Sequence, residues 1–484
     1  MQRLMMGLVA LLLVKSVHAT DFLASSAAEA VRFLQGAKAG DRVILKDGIY
    51  KDVNILFRNT HGTAGQPVVF LPEHPGKVFF EGNSTLRFSG NDIVVQGFVF
   101  RNGGQDLKSR QVIELRTADT AEAQHCTVQD CVIDAYNNTD KTTVNTWVGL
   151  YGVYNTVTRC LFKGKDNRGP TLVVWLQEGK PAHHTISYNY FLSRQNGPGA
   201  DNGLESMRIG DSKTSFTNAN CVVALNRFED CDGEIEVISN KSCHNSLLHN
   251  SFINCDGGLT LRHGNNSLCD GNFFDGGNKP LSYGIRIIGE GHTVINNYFY
   301  NLHGASNEMF RAPVTILNGL INTPINGYFQ VHRALVTDNV FVNCTTPCIR
   351  LGAFSKREGM KLVPDSVTIA NNLLFDDVGK VGKVYEAISE PQHLMARDNL
   401  VIGAYLVANI TGFRQEKNAG VKRMDFDSIT DANGQVIADI HHKAVATDNK
   451  GAGADWVPPA IAAAIAGRKY THVSVQEVGP EWMK

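Results

Sequence analysis

Two glutamates, Glu234 and Glu236, stand in the stretch GEIEVISNKS, which also carries Lys241, and Arg262-His263 follow in GGLTLRHGNN. Upstream, NGLESMRIGDS contributes Asn202 and Arg208. Strand alternation would put Ile235 and Val237 on one face and both glutamates on the other. Three chemistries are open to such a set. In the first, the carboxylates and the Asn202 oxygen bind a hard cation such as calcium. Cation and arginines would neutralise a uronate carboxylate and acidify its C5 proton. A neutral Lys241 would abstract that proton, and Arg262 would stabilise the enolate-like intermediate and assist departure of the glycosidic oxygen. In the second, Glu234 and Glu236 are the acid and base of a glycosidase. Two residues along a strand separate them by roughly 6–7 Å, the lower limit for an inverting pair. This leaves Lys241 and the arginines as binding groups. In the third, the charges bind a glycan without chemistry, or merely solvate the surface.

The elements that must position these residues are short and repetitive. A phrase of polar residue, asparagine and two apolar residues recurs as SYNYF, ALNRF, LHNSF, DGNFF, INNYF, TDNVF and ANNLL, ending at Phe191, Phe228, Phe252, Phe274, Phe299, Phe341 and Leu374. Asn226, Asn250, Asn272 and Asn297 follow one another at two-dozen-residue intervals, and longer intervals imply loops inserted into a coil. Such a period filled by β-rich segments predicts a solenoid, best a parallel β-helix with asparagines stacked at equivalent turns and aromatics stacked inside. Matching Ile235/Val237 with Leu259/Leu261 and then Ile285/Ile287 places Glu236, Thr260 and Arg286 in one outward column, with Arg208 on the coil before. Coils stack about 4.8 Å apart, so Lys241 and Arg262 fall on neighbouring coils beside the glutamates. Ser26–Lys38 has helical spacing, and a short helix there would cap the open end of the core. After about residue 420 the repeat fades, so 20–420 read as the β-helix and 421–484 as a C-terminal extension packed upon it.

Composition narrows the classes. The 484 residues carry 46 basic and 47 acidic side chains, a balance that argues against a nucleic-acid binder. Glycine, at 46 residues, exceeds the usual ~7% and suits a turn-rich β protein. Residues 1–19 combine Arg3, an apolar run from Leu4 to Val14, and Val17-His18-Ala19, the pattern of a cleaved secretory signal. Secretion or a periplasmic location follows as an expectation. No later run reaches the ~18 apolar residues of a membrane span. The ten cysteines lack metal-site spacing and read as buried thiols, with Cys344–Cys348 the most plausible local disulfide. His183-His184 and His441-His442 read as loop residues without metal. Walker A, Rossmann and GxSxG patterns are missing from the sequence.

The order Asn202, Glu234-Ile-Glu236, Asn240-Lys241-Ser242, Arg262-His263 resembles polysaccharide lyase family 6, which holds alginate lyases and chondroitinase B. The resemblance extends from AGDRVILKDGIY through NGLESMRIGDS and EIEVISNKS to the closing VGPEW. It implies a right-handed parallel β-helix of a single domain, the chain being too short for the second β-helix of larger members. It also implies a calcium ion on Asn202, Glu234 and Glu236, Lys241 as base, Arg262 as acid, and His263 and Arg286 on the substrate. Arg208 joins these in a substrate-facing cationic patch. Alginate is the expected substrate and dermatan sulfate the alternative; neither a nucleic acid nor a protein partner is implied.

Overall fold

The computed structural model describes residues 19–104, 111–197, 202–304, 308–354, 359–376, 379, 383–403, 410–416, 422–425, 428–430, 451–468 and 470–484. The proposed leader, the boundary near residue 420 and His441-His442 lie outside them. Strands of mostly three to five residues succeed one another and build three sheets of 14 strands each, every strand pairing with its counterpart one coil away. Apart from one hairpin, Arg116–Ala118 with Ala121–Gln124, the ladders of these sheets are parallel. This is the expected parallel β-helix.

The interior follows from the repeat. Phe162, Phe191, Phe228, Phe252, Phe274, Phe299 and Phe341 form one continuous ring column, with successive centroids 4.5 to 5.1 Å apart. Beside it, Asn189, Asn226, Asn250, Asn272, Asn297, Asn339, Asn372 and Asn399 form a buried ladder. Each side-chain nitrogen donates to the next side-chain oxygen at 2.9–3.0 Å. The same oxygen accepts the backbone N–H of the preceding asparagine. The residue before each asparagine is left-handed, even at Tyr188 and Leu225, a conformation that disfavours L-residues by about 1–2 kcal/mol. The ladder offsets that strain once per coil. Gly271 takes the position without strain, and a Cβ there would strike the His249 ring.

Helix α1 (Ala27–Gly36) starts where Ser26 Oγ accepts the Glu29 N–H, and it buries Ala30 and Leu34 against the first coils. At the other extreme, 451–484 runs back along the solenoid. Helix α2 (Pro459–Ile465) buries Ile461, Tyr470 Oη donates to Asp338 O, the Val473 N–H donates to Ser251 Oγ, and Trp482 Nε1 donates to Asp130 O.

All ten cysteines are buried free thiols. The expected Cys344–Cys348 bridge is absent because Cys344 Sγ turns inward onto the carbonyls of Phe299 and Val342. His184, read as a loop residue, is fully buried, and its Nδ1 accepts the Asn155 N–H at 3.0 Å. Among the described residues, no helix is long and apolar enough to cross a membrane.

Candidate active site

The site lies on the sheet that contains strands Met207–Ile209, Glu236–Lys241, Gly258–His263 and Ile285–Ile287. Its register corrects the sequence reading by three residues. Ile238, not Ile235, stands opposite Leu259, and the true outward column is Arg208, Ser239, Thr260 and Arg286. Glu236 pairs instead with Gly258. The physical reason is a pair of irregularities: the ladder shifts between Glu236 and Ile238, and again between Asn240 and Lys241. Such bulges re-aim side chains. The first lets both Val237 and Ile238 join the core, and the second puts Lys241 opposite His263 with Arg262 left outside the pairing.

These departures from strict alternation bring the predicted residues together by a route the periodicity does not give. Glu236 is buried, and Arg286 and Ser239 both donate to it, while Arg262 Nε lies 3.9 Å from its Oε1. Burial alone would raise this carboxyl, but Arg286, Lys241 and Arg262 outweigh it and hold it below its ordinary value. Glu234 precedes the strand and accepts the N–H groups of Gly203 and Leu204, each at 3.2 Å. Its carboxyl is pushed up to about 9, by burial first and then by the charges of Glu205 and Glu236. Asn202 is exposed on the segment that feeds those N–H groups. His263 is driven to about 3 by burial, then by Arg262 and Lys241, so it is a neutral imidazole at physiological pH.

Sequence reasoning missed Glu205, the loop at 326–328 and a row of aromatic and cationic side chains. Glu205 lies 3.7 Å from Lys241 Nζ. The loop at 326–328 holds Arg262, whose Nη1 donates to Gly327 O at 2.8 Å and Nη2 to Asn326 O at 3.2 Å, with the guanidinium over the Tyr328 ring. Arg208 packs over Trp175, which stacks on Tyr151, which in turn carries Arg116 on its ring. This cation–aromatic row continues the face of the sheet toward the N-terminal coils. The stretched interval between Asn297 and Asn339 was the one available signal for the loop: the insertion it implies is the segment that clamps Arg262.

The donor set suits a hard divalent cation. Asn202, Glu234 and Glu236 offer oxygens only. Glu234 is displaced toward its protonated form by burial first and by the charges of Glu205 and Glu236 second. Asp47, Glu73 and His74 also bring three ligand atoms together, but all three are exposed and form no part of this site.

The fold is thus a three-sheet parallel coil with carboxylates, a lysine and arginines gathered on one of its sheets. The chain belongs to the chondroitinase B family, whose model matches residues 24–451. A search of curated protein sequences gave no match. Among solved structures, it is similar to the PL6 family alginate lyase AlyGC, with 32% identity and a TM-score of 0.79 over 96% of this chain and 58% of that one. The chain therefore spans about 58% of that lyase's length. A mannuronic acid specific family 6 lyase from the human gut microbiota is 27% identical, with a TM-score of 0.71 over 82% of this chain and 91% of the other. The family 6 lyase Pedsa3628 from Pseudopedobacter saltans is 26% identical, with a TM-score of 0.69 over 90% and 99%.

Proposed function

We propose that this protein is a polysaccharide lyase that cleaves a uronate-containing polysaccharide, with alginate as substrate, by β-elimination. The observation that carries the reading is the convergence of Lys241 and Arg262, on adjacent strands, around a buried carboxylate held by Arg286. A glycosidase needs two free carboxyls flanking the bond. Here Glu236 is committed to arginine and Glu234 to backbone N–H groups.

Lys241, in its neutral form, takes the C5 proton. The electron pair left behind forms the C4–C5 double bond, and the C4–O bond breaks. Arg262, oriented by two backbone carbonyls and the Tyr328 ring, lies where it can donate to the departing glycosidic oxygen. Neutral His263 offers a hydrogen bond without competing for that proton, and Arg208 and Arg286 supply cationic charge to uronate carboxylates. Asn202, Glu234 and Glu236 would hold a calcium ion, which when bound would withdraw charge from the uronate carboxylate and favour loss of the C5 proton. The similarity to the alginate lyase AlyGC and to the mannuronic acid specific gut enzyme supports alginate; membership of the chondroitinase B family keeps dermatan sulfate as second reading. The leader-like sequence of residues 1–19 supports export to the periplasm or the medium, which mature N-terminal sequencing would test by a start at Thr20.

The deciding experiment incubates the protein with alginate, dermatan sulfate and pectate, with and without a calcium chelator, and follows ultraviolet absorbance of unsaturated uronate ends. Absorbance rising on alginate and lost on chelation is the expected result. Saturated reducing ends alone would mean hydrolysis and overturn the proposal.

A further inference from the structure

Glu205 is the most conspicuous charged group that the reaction above does not use. It sits immediately before strand Met207–Ile209, is 1% exposed, and neither carboxylate oxygen has a hydrogen-bond donor. Burying an anion in this way is unfavourable, and a neutral side chain of the same length would fill the space at less cost. Among the described residues, the cation within ion-pair distance of it is Lys241, with Nζ 3.7 Å from Oε1. Among the described residues, Glu205 is also the one carboxylate within that distance of Lys241.

The three carboxylates, two of them buried, thus divide the site. Glu236 is engaged by Arg286 and Ser239, and Glu234 by the backbone of 203 and 204. Glu205 faces the lysine. Resting on the lyase reading, we infer that Glu205 is a positioning residue that acts through Lys241, drawing the amine into place for the C5 proton and stabilising the ammonium formed on proton transfer. A lysine needs such an anchor. Its stem is four flexible carbons long with three rotatable donors, whereas proton abstraction requires placement within a fraction of an ångström. Arg262 is fixed by the 326–328 loop and His263 by burial, so Lys241 is the member of the set whose terminal atom only a charge holds. The groups bearing on Lys241 are Glu205 from the preceding segment, Glu234 and Glu236 from its own, and Arg262 and His263 from the next strand.

The test is Glu205→Gln in the full chain, with Glu205→Asp beside it. The Gln variant should melt at or above the wild-type temperature, because an unpartnered buried charge is removed. Its kcat should fall about 10²-fold, the loss expected from misplacing a reacting group by about 1 Å, while KM stays within threefold. Calcium affinity, measured by calorimetry with the metal alone, should change less than threefold. Glu205→Asp should recover part of kcat. Unchanged kcat, or a fall in calcium affinity of tenfold or more, would overturn the inference and make Glu205 a bystander or a cation ligand. Should the Gln variant fail to fold, the Asp variant decides by the same split between kcat and KM and the same calorimetry. If the wild-type chain forms no unsaturated ends, the lyase reading has failed; if it does and Glu205→Gln matches it, only this inference has.

Discussion

Two sets of polar side chains in this molecule are built on opposite principles. In the asparagine ladder every amide donates and accepts along the column, from Asn189 to Asn399. On the sheet carrying the site, Glu205 has two unpartnered oxygens, and Arg208 and Arg286 each have an unpartnered Nε. Satisfied polar columns specify a fold, whereas unsatisfied ones are costly unless something else uses them. The contrast separates side chains that hold the coils in register from charged side chains on the sheet that carries the site. The ladder recurs at one turn of successive coils, whereas Arg208 and Arg286 share their column with Ser239 and Thr260.

Four measurements would break or sharpen that contrast. The largest effect is expected for Lys241→Ala, which should lower the rate of unsaturated-end formation by about 10³-fold or more while the chain still folds, with a lower melting temperature because Glu205 loses its counter-charge. Next is Asn272→Ala, which leaves the Asn250 donors, Leu247 O and the Asn297 oxygen's neighbourhood short of a partner. It should cost about 3 kcal/mol of stability by urea titration while folded molecules keep full activity. Third is acid. His263 and His184 are held near 3 and His292 near 4, each by burial first. Below about pH 6.5 the unfolded chain protonates these rings and the folded chain does not, so stability must fall as pH drops from there toward 4. The loss is on the order of 1–2 kcal/mol per histidine at pH 5. His292→Asn, which keeps an acceptor for the Ser267 N–H, should flatten the slope seen in melts between pH 7 and 5. Smallest is reduction: with Cys344 and Cys348 free, dithiothreitol should leave the melting temperature where it is.

What was legible in the sequence follows the same division. The phenylalanine and asparagine columns could be read because each coil repeats the same demand at the same turn. Lys241, Arg262, Arg208 and Arg286 were found because a charge on an apolar strand stands out. The register was misread because alternation assumes an unbroken strand, and the shifts beside Val237 and Arg262 break it. Glu205 escaped because NGLESMR offers no periodic reason to bury a glutamate; its role depends on a lysine 36 positions later that only the coil brings near. Tyr328 and the carbonyls of 326 and 327 reach Arg262 from an insertion, where no repeat predicts direction.

The segment that runs back along the solenoid has a consequence for the order of assembly. Coils that touch only their neighbours can form one after another as the chain emerges. The contacts of Tyr470 with Asp338, Val473 with Ser251 and Trp482 with Asp130 cannot form in that sequence. They join residues made late to coils made long before, and they do so in reverse order. Synthesis therefore delivers a stack of coils still unfastened along one side, and the seam closes only after residue 482 has arrived. Trp482 and its neighbours act as a latch on the first third of the molecule, fastening coils that were laid down hundreds of residues earlier.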